Sequence, residues 1–182
     1  MDRMALNMAM EDIFLLPADS THMEALNAVY EEAVAYFCFD PGHAITTPKD
    51  CMEAGDLPPS GIRENFHILC CYVGGSLSGY LTFYEGYPEE DAAYICFFYL
   101  RKAVKRRGVG TAVVQLLSEQ FRNRGFAKIR VSVSLKNWSA LRFWVKQGFD
   151  RVTLVACDTE YSRAAYGCVE LEKSILSTDD IG

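Results

Sequence analysis

The sequence predicts a mixed α/β fold in which helices pack against a sheet, rather than a doubly wound α/β fold. The predicted elements run β, α, α, β, β, β, α, β, α, β, β along 182 residues. Strands cluster in the middle of the chain, whereas a doubly wound sheet alternates single strands with single helices. Hydrophobic residues make up 50% of the chain and charged residues 23%, as in folded globular proteins. We therefore expect one domain over residues 1–182, with a core from about residue 13 to about residue 175.

The first third of the chain predicts one strand and two helices. An apolar segment at residues 11–17 favours a strand, and a helix is expected from Thr21 to about Tyr36. Thr21 and Glu24 have the spacing of a capping box. A short helix is predicted at residues 48–54, between two loops. Residues 37–65 are thus the most irregular part of the chain and are candidates for the wall of a pocket.

The remaining elements follow from turn residues and hydrophobic periodicity. Segments 66–73 and 77–84 flank Gly74-Gly75-Ser76, which is typical of a β-hairpin. An acidic loop at 85–91 precedes an apolar strand at 94–100, and a helix with one apolar face runs from Gly108 to about Phe121. The C-terminal part predicts a strand at 126–135, a helix at 137–146 and strands at 149–157 and 168–175.

Composition excludes several classes of function. The net charge of −6 argues against a general nucleic-acid binder. The longest apolar runs have the length of strands, and acidic residues interrupt the N-terminal run, so neither a membrane span nor a signal peptide is expected. Seven cysteines without a C-x-x-C pair indicate reduced thiols in a cytoplasmic protein. His22, His43 and His67 are too scattered to indicate a metal site, so no metal is predicted.

A basic turn with two glycines connects the strand at 94–100 to the next helix. Five of the seven residues at 101–107 are Lys or Arg, and Gly108-Val109-Gly110-Thr111 opens the helix. The first N–H groups of a helix lack intrahelical partners, and the helix dipole adds positive potential there. Glycine has no Cβ, so a phosphate can approach the main chain. The stretch therefore predicts a polyanionic ligand, although a basic surface turn before an ordinary helix remains an alternative.

Two common phosphate motifs do not fit this turn, and one family motif does. A dinucleotide fingerprint requires a glycine where Val113 stands, and a P-loop requires a Gly-Lys pair that is missing. The turn resembles the pyrophosphate loop of the GNAT acetyltransferase superfamily, Q/R-x-x-G-x-G/A. Lys105 stands where that family usually has Gln or Arg, and Gly108 and Gly110 match its glycine positions.

A second stretch supports the same resemblance. Residues 137–149 are similar to the GNAT signature N-x-x-A-x-x-x-Y-x-x-x-G-F, with matches at Asn137, Ala140, Gly148 and Phe149. Trp144 replaces the usual tyrosine. An N-capped amphipathic helix that ends at a glycine would explain this stretch without a ligand. Two motifs in the family's order, with the expected strands between them, identify the chain as a member of that superfamily.

The resemblance implies a fold and a co-substrate. Members have a central, mostly antiparallel sheet that is splayed between strands 4 and 5 and flanked by helices. Acetyl-CoA lies in that opening, here between the predicted strands at 94–100 and 126–135. The pantetheine arm would contact Phe98, Tyr99, Leu100, Asn137 and Trp144, and the pyrophosphate would contact Lys105, Arg106, Arg107, Gly108, Val109, Gly110 and Thr111. Homodimers are common in the family, although nothing in this sequence requires one.

The implied reaction is direct attack of a neutral amine on the thioester. An amine that titrates at about 10.4 needs a base or a water chain to remove its proton. No carboxylate lies within the predicted fourth or fifth strand, so a base that acts through water is sought among the nearest acids, with Glu85 as the candidate and a solvated acidic loop as the alternative. The other acids of that loop are Glu89, Glu90 and Asp91. Tyr99 and Trp144 are candidates to assist the leaving thiolate, and Tyr94 is another possible acid. An indole N–H donates a hydrogen bond but is no proton donor, and Trp144 has an alternative place in the core.

The leading hypothesis is an acetyl-CoA-dependent N-acetyltransferase that acts on the primary amine of a small molecule. A peptide α-amine or a lysine remains open as the acceptor. An alternative from another class is a GNAT-fold module that binds acyl-CoA without turnover, which the missing tyrosine and strand carboxylate favour. A third hypothesis is a protein for phosphate ligands that is unrelated to coenzyme A.

Overall fold

In the computed structural model, the described residues are 4–8, 11–160 and 162–176. They form four α-helices and an eight-stranded sheet. The strands are β1 (Met4–Met8), β2 (Glu11–Pro17), β3 (Phe66–Val73), β4 (Ser76–Glu85), β5 (Ala92–Leu100), β6 (Lys128–Ser134), β7 (Arg151–Cys157) and β8 (Gly167–Ser174). The helices are α1 (Met23–Phe37), α2 (Pro48–Glu53), α3 (Val109–Asn123) and α4 (Trp138–Lys146).

The sheet confirms the predicted fold class. Its strand order is β1-β2-β3-β4-β5-β6-β8-β7, and every neighbouring pair is antiparallel except β5 with β6. Strand β1 was not predicted, so the predicted fourth and fifth strands correspond to β5 and β6. The one parallel pair follows from the connection, because helix α3 carries the chain from the end of β5 back to the start of β6.

Helices cover both faces of the sheet. Helix α3 places its apolar residues at helical spacing, and it packs together with α4 against one face. Helices α1 and α2 pack against the other face. The buried contacts of α3 and α4 include Val113, Leu117, Phe121 and Trp144, and those of α1 and α2 include Leu26, Val29, Ala33 and Cys51. Among the described helices, none is long and apolar enough to cross a bilayer.

Two element ends test what the local sequence predicts, the turn between β3 and β4 and the start of α1. Gly74 and Gly75 have φ of 56° and 79°, as a two-residue hairpin turn between β3 and β4 requires. The predicted cap of the first helix is wrong. Asp19, not Thr21, caps a short 3-10 turn, and it accepts the Thr21 N–H at 2.9 Å. Helix α1 then begins at Met23. A carboxylate is favoured at this position because it carries a full negative charge to the helix start.

Strands β5 and β6 separate partway along their length, as predicted. They pair only from Ala92 with Lys128 to Ile95 with Val131. At the same point the register with β4 shifts, since Thr82 faces Phe97 while Phe83 faces Ile95. Cys96 is therefore the extra residue of a β-bulge. A bulge bends its strand and increases its twist, which turns the end of β5 away from β6.

Candidate active site

The separation of β5 and β6 opens a cavity of about 510 Å³, which we call the main cavity. Residues 95–100 of β5 and 131–134 of β6 form its walls, and it extends to the start of α3 and to α4. Within the described sheet, β5 has no strand partner on this edge beyond Ile95. Backbone N–H and C=O groups on such an edge are available to a ligand. The main cavity thus offers an extended ligand a polar strand edge and a helix N-terminus.

The glycine turn forms one end of the main cavity. Arg106 and Gly108 both adopt left-handed backbone conformations, with φ of 64° and 82°. Alternation of conformations in such a turn directs successive N–H groups to one side, where they can bind an anion. A Cβ at Gly110 would lie 3.0 Å from the Phe143 ring, so a larger residue there would push against that ring. The turn and the first N–H groups of α3 therefore fit a phosphate group.

The predicted phosphate-contact residues divide into two groups. Lys105, Arg106, Gly108, Gly110 and Thr111 line the main cavity. Val109 and Arg107 do not. The Val109 side chain is buried in the core, and Arg107 is exposed outside the cavity. The buried Val109 can contribute only through its main chain, which is consistent with recognition by backbone N–H groups.

Tyr99 and Lys105 are tied to helix α1. The Tyr99 hydroxyl donates to Glu32 at 3.3 Å, and the Glu32 carboxylate also accepts the Lys102 N–H at 2.6 Å. Burial, followed by the charge of Glu32, raises the pKa of Tyr99. A tyrosine with a raised pKa is a weaker acid than usual, which disfavours Tyr99 as the proton donor to a leaving thiolate. The Tyr99 ring nevertheless lines the main cavity beside Lys105.

Trp144 is both a core residue and part of the cavity wall. Only 5% of its surface is exposed, and its ring lies 4.9 Å from that of Phe149 and 5.1 Å from that of Phe143. Its other neighbour across the cavity is Phe98, at 6.1 Å between ring centroids. The contact with Phe98 places the indole beside the open edge of β5. Trp144 is therefore a core residue that also lines the main cavity.

Asn137 connects the two sides of the main cavity. Its side-chain oxygen accepts the Ala140 N–H at 3.1 Å, which caps α4 as predicted. The same oxygen accepts the Tyr36 hydroxyl of α1 at 3.3 Å. Asn137 also lines the cavity, where its amide nitrogen is the donor that it can offer to a ligand.

Glu85 is not at the site, which corrects the prediction of a base there. It lies at the end of β4 opposite Ala93, whereas the main cavity begins at Ile95 and follows β5 in the other direction. Its carboxylate accepts two hydrogen bonds from the Arg124 guanidinium, and His67 Nε2 lies 3.2 Å away. Burial alone would raise the pKa of Glu85, but these partners hold it at about 2. Glu85 is a structural ion-pair residue.

His43 is a site residue that sequence reasoning missed. It lies in the loop between α1 and α2 and lines the main cavity, with its ring between those of Phe37, at 4.9 Å, and Tyr166, at 5.8 Å. Burial lowers the pKa of His43 below its usual 6.5, and the charge of Asp40 opposes this shift. The imidazole is therefore mostly neutral at pH 7 and can accept a proton. Its position within residues 37–65, the predicted pocket wall, was the one available signal.

A buried ion pair fixes the His43 loop. The Asp40 carboxylate is almost fully buried, accepts a hydrogen bond from Ser134 Oγ at the end of β6, and lies 3.0 Å from Lys136 Nζ. Because Ser134 belongs to the cavity wall, its hydrogen bond with Asp40 holds the loop against that wall. Among the described residues, no group of three His, Cys, Asp or Glu side chains is placed to hold a metal ion.

Comparison with known proteins agrees with this geometry. The model of the acetyltransferase (GNAT) family matches residues 24–149. RimL, a ribosomal L7/L12 α-N-protein acetyltransferase in complex with coenzyme A, superposes with a TM-score of 0.71 at 16% identity, over 94% of this chain and 98% of that one. The ribosomal-protein-alanine N-acetyltransferase from Brucella melitensis has a TM-score of 0.66 at 17% identity, over 88% and 98% of the chains.

A third solved structure, a proposed phosphinothricin N-acetyltransferase, has a TM-score of 0.67 at 19% identity, over 91% of this chain and 99% of that one. At these identities the likeness establishes the fold. No curated protein matches the sequence significantly.

Proposed function

The chain belongs to the acetyltransferase (GNAT) family, and we propose that it transfers an acetyl group from acetyl-CoA to a primary amine of a small molecule. The observation that carries this proposal is the separation of β5 and β6 beside the glycine turn. An open strand edge, a helix N-terminus and a neutral histidine meet in one cavity. This combination suits a long, amide-rich thioester that ends in a diphosphate.

The size and chemistry of the main cavity support coenzyme A as its ligand. Its volume of about 510 Å³ is within the range of ligand pockets. Main-chain N–H groups of residues 106–111 would hold the diphosphate. The open edge of β5 at Phe98 and Leu100 would pair with the amides of the pantetheine arm. Asn137 and Trp144 would contact the arm from the side of α4.

We propose His43 as the group that takes the proton of the amine. A primary ammonium, with a pKa of about 10.4, is no nucleophile, so the neutral amine attacks the thioester carbonyl. As the C–N bond forms, the nitrogen becomes acidic and must lose a proton. His43 lines the main cavity and is mostly neutral at pH 7. The Asp40 carboxylate stabilises the imidazolium that forms when the proton arrives. Transfer runs directly or through one water molecule.

The residues around the thioester would stabilise the negative charge that develops on the carbonyl oxygen and on the leaving sulfur. A backbone N–H near Leu100 on the open edge of β5 is the proposed donor to the carbonyl oxygen as it gains negative charge. A thiol with a pKa of about 8.5 leaves tolerably as a thiolate, so no strong acid is required. Trp144 supplies an indole N–H, which can donate a hydrogen bond to the sulfur but keeps its proton.

The acceptor is the least constrained part of the proposal. Two of the similar structures are acetyltransferases of ribosomal proteins and one is a proposed phosphinothricin enzyme, so both protein and small-molecule amines belong in a test. The negative net charge of −6 favours a cationic amine of either kind.

A second candidate function is binding of acyl-CoA without turnover. It is favoured by Trp144 at the position of the usual tyrosine and by the lack of any carboxylate within β5 and β6. A thiol-release assay with acetyl-CoA and a panel of polyamines, amino acids, aminoglycosides and peptides separates the two. We expect thiol release with at least one small amine. Calorimetric binding of coenzyme A without thiol release from any amine would favour the binding module.

A further inference from the structure

A second, smaller cavity lies on the face of the sheet that α1 and α2 cover. It has a volume of about 30 Å³, and we call it the side cavity. Cys96 and Phe97 of β5 line both this cavity and the main cavity. The two cavities are therefore neighbours at the β-bulge where β5 leaves β6.

Two buried hydroxyl groups line the side cavity. Tyr80 and Thr82 of β4 are each 1% exposed, and neither hydroxyl has a hydrogen-bond partner among the described residues. They are two positions apart on one strand, so they face the same side of the sheet. Burial raises the pKa of Tyr80, which keeps its hydroxyl protonated. Because an unpaired buried hydroxyl destabilises a fold, two of them in one cavity indicate a place for a polar ligand group.

The charge of the side cavity selects the kind of group. Among the described residues that line it, Asp56 is the one that carries a charge, since burial raises the pKa of Cys51 to about 12 and that of Cys96 still further. One carboxylate and two hydroxyl oxygens give three acceptors, and a primary ammonium has three donors. The volume of about 30 Å³ exceeds what one water molecule requires and admits an ammonium group.

We propose that the side cavity binds the second ammonium group of an aliphatic diamine, while the other amine enters the main cavity and is acetylated. This inference rests on the proposed function. Both cavities touch Cys96 and Phe97, so a short aliphatic chain that joins the two amines would pass beside these two side chains. Asp56 would pair with the ammonium at the exposed rim, and the Tyr80 and Thr82 hydroxyls would accept its remaining hydrogens. A substrate with a carboxylate in place of the second ammonium would be repelled by Asp56.

The test compares diaminobutane with pentylamine, which has the same number of heavy atoms but only one amine. We expect kcat/KM for thiol release to be at least about tenfold higher with diaminobutane, because pentylamine has no second ammonium to form hydrogen bonds in the side cavity. The ratio of kcat/KM for the diamine to kcat/KM for pentylamine should fall several-fold in Thr82→Val, which keeps the shape of the side chain, and in Asp56→Asn. Glu53→Gln is the control, because Glu53 is an exposed acid of α2 that lines neither cavity, and it should keep the ratio.

Each outcome decides the inference. Equal kcat/KM for the two amines, or a ratio that is unchanged in both variants, overturns the inference and leaves water as the occupant of the side cavity. The proposed function stands in that case, because both amines are acetylated. No thiol release with any amine contradicts the proposed function and this inference with it. If Thr82→Val lowers the thermal midpoint strongly, the inference is judged on Asp56→Asn alone, because Asp56 is exposed and its replacement leaves the core intact.

Discussion

The Lys105 ammonium lies 3.9 Å from the centroid of the Tyr99 ring and 4.2 Å from that of Tyr36. The lysine that replaces the family's usual Gln or Arg is thus held by two aromatic rings of the cavity wall. This contact links the glycine turn to β5 and α1.

The first prediction concerns that contact. Lys105→Gln should lower the free energy of unfolding by about 0.5–2 kcal/mol, because two cation–π contacts are lost. Coenzyme A affinity should change by less than about threefold, since the diphosphate is bound mainly by main-chain N–H groups. Urea unfolding and calorimetry measure the two quantities. Lys102→Gln, at an exposed lysine nearby, serves as the control, and equal stability losses in both variants would contradict the assignment.

The second prediction concerns the base. His43→Gln should lower kcat by about 100-fold, which is typical for loss of a general base. In the wild type, kcat/KM should fall as the pH drops through the pKa of His43, below 6.5, because the protonated imidazole accepts no further proton. That acidic limb should be missing in the variant. A pH–rate profile that is the same in both proteins would exclude His43 as the base.

The third prediction concerns Glu85. Glu85→Gln should destabilise the fold by about 1–3 kcal/mol at pH 7, because Arg124 and His67 lose their charged partner. The pKa of Glu85 is lowered from 4.5 to about 2, so its stabilisation is fully present above pH 4.5 and is lost as the pH falls towards 2. The difference from the wild type in unfolding free energy should shrink over that range.

Turnover of the folded Glu85→Gln protein should equal that of the wild type at saturating substrate. Glu90→Gln, in the same acidic loop but exposed, should change neither stability nor turnover. A loss of turnover without a loss of stability would restore Glu85 as the base.

The fourth prediction concerns Trp144. Both Trp144→Tyr and Trp144→Phe should destabilise the fold by about 1–3 kcal/mol, because a smaller ring leaves space beside Phe143 and Phe149. Of the two, only tyrosine carries a hydroxyl that can protonate a leaving thiolate. We expect a higher kcat for Trp144→Tyr than for Trp144→Phe in the thiol-release assay. Equal rates would show that Trp144 is a packing residue without a role at the sulfur.

The fold was largely predictable because its elements have strong local signals. The Gly74-Gly75 hairpin, the Asn137 cap and the apolar face of α3 each depend on neighbouring residues and were predicted correctly. Strand β1 was missed because its sequence, Met-Ala-Leu-Asn-Met, has little β-propensity. Its pairing with β2 is a tertiary contact, which no local sequence pattern predicts.

The site was predictable only where a motif marks it. The glycine turn and Asn137 line the main cavity as their motifs imply. Glu85 was misplaced because it is close to β5 in sequence but lies far from the part of β5 that is open to the cavity. In an antiparallel pair, the last residue of β4 lies beside the start of β5. His43 was missed because a loop residue reaches the cavity through packing between distant segments, here against Tyr166.

A crystal structure with bound coenzyme A tests the central claim most directly. The account predicts a diphosphate against the main-chain N–H groups of residues 106–111 and a pantetheine arm along the open edge of β5 between Cys96 and Leu100. Strands β5 and β6 paired beyond Ile95 and Val131, or a diphosphate bound away from the glycine turn, would contradict it.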